Sequence, residues 1–320
     1  MGTPHLWIGF NLFVLLALAL DLGVFHRKAH KVEIREALLW SAIWIGMALS
    51  FGYFVWQWYG PQRGLEFYTG YLIEKALSVD NLFLFLVIFR TFKVDPSVQH
   101  RVLAWGIIGA LIMRGIMIGA GAVLVARFNW VLPVFGVFLV YSGVQMLRHR
   151  EKEVHFERNP VFRFASTNLR LTKEYEGGKF FVRHAGQLFA TPLFLVLLIV
   201  EISDVTFAVD SIPAIFGITR DAFIVYSSNV FAILGLRALY FLLADILDYF
   251  RYLGIGLALV LMFIGGKMVV EPWWHLSVKQ SMGIVAGILG LVIVTSVLVG
   301  PKKRLAASSQ QSEKIAGGGE

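Results

Sequence analysis

The sequence predicts an all-α polytopic membrane protein of about nine transmembrane helices, with two inverted three-helix repeats inside it. Three observations carry that reading. Hydrophobic residues make up 57 % of the 320 residues and charged residues 16 %, with a mean hydropathy of +0.69. A soluble domain is nearer half apolar and a quarter charged. The apolar residues fall in blocks long enough to cross a bilayer, which takes about 20 residues. A pattern of acids and arginines inside those blocks occurs twice. The composition argues against an ordinary globular enzyme and excludes disorder over most of the chain.

Nine spans follow in order, at roughly 6–25, 37–58, 66–89, 102–125, 129–147, 189–218, 222–244, 251–270 and 280–300. The first has no basic leader and no small-residue cleavage site, so it reads as a span and not a signal peptide. The sixth is long for one crossing and contains Pro213, which predicts a kink or break. The transmembrane domain covers residues 1–304, and 305–320 (Ala, Ser, Gln, Gly) reads as a disordered cytoplasmic tail. Between the fifth and sixth spans, 148–188 reads as a cytoplasmic loop on the membrane surface. There Asn159-Pro160 looks like a helix start, and Lys179 to Val182 like a short strand.

Orientation follows from Lys and Arg in the connections. One set holds Arg27, Lys28, Lys31, Arg35, Arg90, Lys93, Arg101, the 148–184 stretch, Arg251, Lys302, Lys303 and Arg304. The other holds only Arg63, Arg127, Arg220 and Lys279. The N-terminus is expected outside and the C-terminus in the cytoplasm. Trp56, Trp58, Trp130, Trp273 and Trp274 fall at outer span ends, as an aromatic belt would. The net charge of +8 and pI near 9.7 then reflect cytoplasmic loops, and no nucleic-acid partner is needed to explain them. The expected partners are the lipid bilayer and small ions.

Glu74-Lys-Ala-Leu-Ser-Val-Asp80-Asn81 aligns with Asp204-Val-Thr-Phe-Ala-Val-Asp210-Ser211. Ile88 and Arg90 then fall on Ile218 and Arg220, and a short shift puts Arg114 on Arg237. Gly143, Gln145 and Met146 fall on Gly265, Lys267 and Met268. The repeats run about 66–147 and 189–270. Each holds three spans, and an odd count inverts the second copy in the membrane, an arrangement that places a binding site at the repeat interface.

Glu74, Asp80, Glu201, Asp204 and Asp210 lie within spans, as do Lys75, Arg114, Arg237 and Lys267. Each costs roughly 2.5–3.5 kcal/mol at a helix centre, so they must converge inside the bundle, pair, or bind something. Pairing between helices accounts for Arg114, Arg237 and Lys267. Five carboxylates exceed what pairing needs. Glu74, Ser78 and Asn81 share one helix face, as do Glu201 and Asp204, while Asp80 points about 120° away from Glu74. For all the acids to meet, the helices would have to unwind near Ser78–Asn81 and near Asp210–Pro213. Carboxylates, the Asn81 amide and the Ser211 hydroxyl are hard oxygen ligands that suit Mg²⁺, Ca²⁺ or Mn²⁺. With no Cys, thiol redox chemistry and iron–sulfur clusters are excluded. All eight His lie outside the predicted spans, which disfavours Zn²⁺, Cu⁺ and haem there. His26 and His30 read as solvated loop residues, and Asp21 as interfacial.

These residues also carry a resemblance. Glu74-Lys-Ala-Leu-Ser-Val-Asp80-Asn81 and Glu201-Ile-Ser-Asp204-Val-Thr-Phe-Ala-Val-Asp210-Ser211-Ile-Pro-Ala-Ile-Phe resemble the two signature motifs of the TerC family of integral membrane proteins, in its Alx-like branch. HRKAH…REAL, SSNVFAILGLRALYFLL and GLALVLMFIGGKM resemble the same family, so the likeness spans about residues 6–300. It implies a bacterial inner-membrane protein in metal homeostasis, chiefly a manganese exporter, with Glu74, Asp80, Glu201, Asp204 and Asp210 as its acidic motif positions. The family name comes from tellurium resistance, and a redox-modulator label attaches to the Alx-like branch.

The reading adopted is a secondary transporter, with Mn²⁺ as transported substrate, no permanently bound cofactor and no catalytic residue. The metal is expected at Glu74, Asp80, Asn81, Glu201, Asp204, Asp210 and Ser211, with Arg114, Arg237 and Lys267 in charge pairing or coupling. A chemical redox modulator would need thiols, haem ligands or a flavin motif. An oxyanion transporter would need a cationic site. An intramembrane two-aspartate protease would lack its Gly-x-Gly-Asp pattern. Exporting one dication against 100 mV costs roughly 4.6 kcal/mol, and the chain has no Walker A motif, so proton antiport is the expected drive.

Overall fold

The computed structural model describes residues 2–25, 34–148, 169–172, 174–184, 186–243, 252–271 and 273–300. They form α1 (Pro4–Phe25), α2 (Ile34–Tyr59), α3 (Pro61–Thr91), α4 (Pro96–Arg127) and α5 (Val131–Arg148). A hairpin of β1 (Phe181–His184) and β2 (Gln187–Ala190) follows. Then come α6 (Pro192–Phe216), α7 (Ala222–Ile233), α8 (Leu236–Leu243), α9 (Leu253–Val270) and α10 (Val278–Val299).

Local chemistry sets the helix starts. Pro61, Pro96 and Pro192 stand in the first turns of α3, α4 and α6, where a missing N–H costs nothing. Asp95 caps α4 by accepting from the Ser97 amide, and Asp221 caps α7 through the Phe223 and Ile224 amides. Ser277 and Gln280 form a reciprocal capping box on α10.

The chain is a multi-pass, all-α membrane protein. Seven of these helices are long and apolar enough to cross a bilayer, and α7 with α8 would make an eighth as one bent span. At 31 residues α3 also has the length, but Glu66, Glu74, Lys75 and Asp80 set its composition apart. Leu12, Leu15 and Leu16 on α1 and Leu291 and Leu298 on α10 point outward, as lipid-facing side chains do. Trp58, Trp130, Trp273 and Trp274 are exposed.

The interior is built on close helix contacts. A Cβ on Gly136 of α5 would come 2.7 Å from the Gly265 carbonyl of α9, and one on Gly143 2.7 Å from the Ala258 carbonyl. The two contacts run in opposite chain directions, so α5 and α9 are antiparallel, at a seam where small residues let backbones meet. Gly106 and Gly121 of α4 face Val200 and Phe216 of α6, which makes that pair parallel. Gly70 of α3 faces Ser228 of α7, and Lys75 reaches Ala232 further along, so these two are parallel as well.

Three expectations are corrected. First, α3 and α6 are unbroken through Ser78–Asn81 and Asp210–Pro213. Pro213 lies in the last turn of α6, where its missing N–H removes a single bond close to the helix end. The break falls at Leu234–Gly235 instead, where α7 and α8 meet at a 42° bend. Gly235 adopts φ 84°, a conformation glycine takes at no steric cost, and its Cα lies against the Trp44 ring of α2. Second, the strand expected at Lys179 to Val182 begins at Phe181 and is half of a hairpin, with Phe181 opposite Ala190. Arg101 donates to the Gly178 carbonyl and Tyr175 to the Phe92 carbonyl, which ties this segment to the α3–α4 turn. Third, Asp21, expected as an interfacial residue, is buried against the other helices and paired with Arg237. Asn159-Pro160, His26, His30 and the 305–320 tail lie outside the described residues.

Candidate functional site

At the centre is Arg114 of α4, buried with its partners Glu74 of α3 and Asp204 of α6. Its Nε and Nη2 donate to the two Asp204 carboxylate oxygens at 3.0 and 2.8 Å, a bidentate pair, and Nη1 pairs with Glu74 Oε1. One cation and two carboxylates give the cluster a formal charge of −1. Arg114 thus bridges α3 and α6.

On α3 and α6 several oxygens lack protein partners. Glu74 Oε2, Ser78 Oγ and Asn81 Oδ1 of α3 and Ser211 Oγ of α6 are buried with no hydrogen-bond partner. A buried polar atom left unpaired costs about 1–3 kcal/mol, so each of these oxygens is a position that a ligand or solvent would complete. Glu74, Ser78 and Asn81 share one face of an unbroken helix. Gly70 faces Ile215, and Arg114 links Glu74 to Asp204, so α3 and α6 are antiparallel, and one turn onward in α3 and one turn back in α6 bring Glu74 and Ser211 to a similar level. All four atoms are hard oxygen donors.

The remaining expected residues are spread more widely. Asp210 accepts from Ser142 Oγ of α5 at 2.8 Å. Asp80 and Glu201 are half-buried and have no hydrogen bond or ion pair among the described residues. Among those residues, no group of three Asp, Glu or His is placed to hold a metal ion. Full convergence of the five acids therefore does not occur in this conformation. Because α3 stays helical, Asp80 keeps its angular offset from Glu74 in this conformation.

The cations also divide. Lys267 of α9 donates to the Gly217 carbonyl at 3.1 Å, capping the C-terminus of α6, where a positive charge meets the negative helix end. Arg237 does not reach the acid cluster. Its Nη2 pairs with Asp21 Oδ2 at 2.9 Å and donates to the Asp21 carbonyl at 2.8 Å. Arg114 and Arg237, aligned in the sequence, thus have different partners: Arg237 follows the bend at Gly235 and meets Asp21 of α1.

Two features escaped the sequence reading. Lys75 donates to the Ala232 carbonyl at 3.3 Å, one of the acceptors freed where α7 breaks before Gly235. The glycine in Leu234-Gly235-Leu236 was the available signal. Glu66 of α3 is buried, and it accepts from Arg63 at 2.9 Å and from Thr219 at 2.6 Å. It lies in a cavity of about 750 Å³ with Arg63, Lys267, Glu271 and His275. Its spacing of two turns from Glu74 on the same helix was the clue, hidden because it stood at the expected span boundary.

The family description "Integral membrane protein TerC family" matches residues 59–304. An uncharacterized membrane protein of Myxococcus xanthus is 50 % identical over 298 residues, covering 93 % of this chain and 93 % of that protein. Alx of Salmonella typhi, named as a candidate membrane-bound redox modulator, is 46 % identical, covering 93 % of this chain and 96 % of its own. The protein of that name in Escherichia coli K12 is 45 % identical with the same coverage. None of these names describes an enzyme. No solved structure matches the chain. With a match over most of its length and relatives near half identity, the chain belongs to the TerC family of integral membrane proteins.

Proposed function

We propose that this protein is a secondary transporter that exports Mn²⁺ from the cytoplasm across the bacterial inner membrane in exchange for protons. The observation that carries the reading is the set of four buried, unpartnered oxygens, Glu74 Oε2, Ser78 Oγ, Asn81 Oδ1 and Ser211 Oγ, on the two helices that Arg114 bridges, with a formal charge of −1 on its cluster. Hard neutral and anionic oxygens in an apolar surround favour a divalent cation, and the negative balance offsets part of its charge. The choice of Mn²⁺ over Mg²⁺ or Ca²⁺ rests on the family resemblance.

Transport also fits the helix arrangement. The antiparallel α5–α9 pair and the parallel α3–α7 and α4–α6 pairs form the pattern expected if α3–α5 and α6–α9 are inverted copies. In this reading α3 runs inward from the outside, the N-terminus is outside and the C-terminus is cytoplasmic. The cavity holding Glu66 then opens outward, as an exit vestibule. Asp80, Glu201 and Asp210, which no arginine or lysine pairs with among the described residues, complete the metal's coordination or exchange protons when the site changes its facing. Metal binding requires deprotonated carboxylates, so it releases protons in the direction antiport needs. The protein is not an enzyme in this account, and a redox effect named for its relatives would arise through metal levels.

Equilibrium binding of Mn²⁺ to the purified protein in detergent tests the site. Wild type binds, while Asn81→Ala and Ser211→Ala each weaken binding without changing the fold. Undiminished binding in both variants would place the metal elsewhere.

A further inference from the structure

Three glycines of α4 face α6. Gly106 and Gly121 meet apolar side chains, those of Val200 and Phe216. Gly109 meets a different neighbour: a Cβ built on it would fall directly on the Glu201 carboxylate, touching both oxygens and the carboxyl carbon. Glu201 leaves α6 toward α4 one turn before Asp204, and Arg114 lies five residues beyond Gly109 on α4. Glu201 has no hydrogen bond or ion pair among the described residues, so no polar contact fixes its head group. What fixes it is the space that the missing side chain leaves.

We infer that Gly109 is a positioning residue, whose absent side chain is the socket that seats the Glu201 carboxylate beside the Arg114 cluster. The inference rests on the transport reading for its functional consequence. Glycine is a poor helix former, and at this position inside a 32-residue helix alanine would be the better one. The obstructing atoms belong to the far end of a flexible side chain, so a methyl at position 109 is accommodated by swinging the carboxylate away. Gly109→Ala therefore leaves the fold intact and moves the acid. The shorter side chain of Glu201→Asp withdraws the carboxylate by one methylene and makes room for that methyl.

The experiment uses full-length protein in liposomes and compares wild type, Gly109→Ala, Glu201→Asp and the double variant. Manganese flux falls about 100-fold in Gly109→Ala, the scale of a misplaced functional group, and recovers substantially in the double variant. Wild-type flux in Gly109→Ala overturns the proposal. So does a loss that Glu201→Asp fails to restore, because a glycine needed only for helix packing would behave that way. Carbodiimide labelling of the carboxylate at position 201, read by mass spectrometry, tests the socket even if wild type moves no manganese. Labelling rises severalfold in Gly109→Ala and falls back in the double variant. Unchanged labelling overturns the socket, whereas absent wild-type flux with changed labelling removes the transport reading alone.

Discussion

Removing Arg114 perturbs a buried cluster of three charged side chains. Its guanidinium makes three charge-assisted bonds, two to Asp204 and one to Glu74, with all three side chains buried. Arg114→Ala deletes these bonds and leaves two carboxylates facing each other away from water. Breaking a buried pair by removing one partner costs about 3–5 kcal/mol, and the second acid puts the cost at the upper end. Arg114→Lys keeps the charge but loses the fork. A single ammonium cannot hold both Asp204 oxygens and Glu74 in the same geometry, so at least one charged bond is lost, about 1.5–3 kcal/mol. Replacing the whole cluster (Arg114→Met, Glu74→Met, Asp204→Leu) removes charge and partner together and returns stability to near wild type. That triple variant lacks Glu74 and should not transport. Equilibrium unfolding in mixed detergent micelles ranks the variants as wild type and triple, then lysine, then alanine. Unfolding of Arg114→Ala indistinguishable from wild type would refute the reasoning, since it would mean that Arg114 does not hold the two acids as anions.

Other outcomes follow from the same contacts. Gly235→Ala introduces a side chain at φ 84° and 2.8 Å from Trp44, so it destabilises by at least about 1–2 kcal/mol in the same unfolding assay. Asp21→Ala breaks the pair with Arg237, which keeps its bond to the backbone carbonyl of residue 21. The loss is near 3 kcal/mol in the same assay. Asp80→Asn and Asp210→Asn express and fold normally, because neither acid has a cation partner among the described residues, and the amide introduced by Asp210→Asn still offers Ser142 an acceptor oxygen. Both lose manganese transport by about tenfold or more, since ligand charge count tunes cation affinity. Efflux at the wild-type level in either variant would make that acid structural.

What was legible in the sequence is what the membrane makes expensive. Glu74, Asp204 and Arg114 stand inside apolar blocks, and their cost alone predicts that they meet. The repeat pattern pointed to the pairing of α3 with α6 around them. Local geometry was less legible. Pro213 suggested a break, but its effect depends on how near the helix end it falls, which the apolar pattern of α6 does not reveal. Gly235 carried the actual break, and one glycine in a helical pattern is a weak signal. Asp21 looked interfacial because it lies near a span end, and its partner Arg237 is 216 residues away along the chain. The acids were expected to converge on the premise that the helices unwind. Intact helices keep Asp80 turned from Glu74, and Arg114 stabilises the two carboxylates it reaches.

The central claim is coupled exchange of manganese for protons, and one measurement addresses it most directly. Purified protein is reconstituted in liposomes with a pH dye inside, and Mn²⁺ flux is followed while a pH gradient is imposed and then collapsed with an ionophore. The account predicts Mn²⁺ moving against the proton flux, with a matching internal pH change, and a strong slowing when the gradient collapses. Manganese flux that ignores the gradient, with no counter-movement of protons, would contradict it.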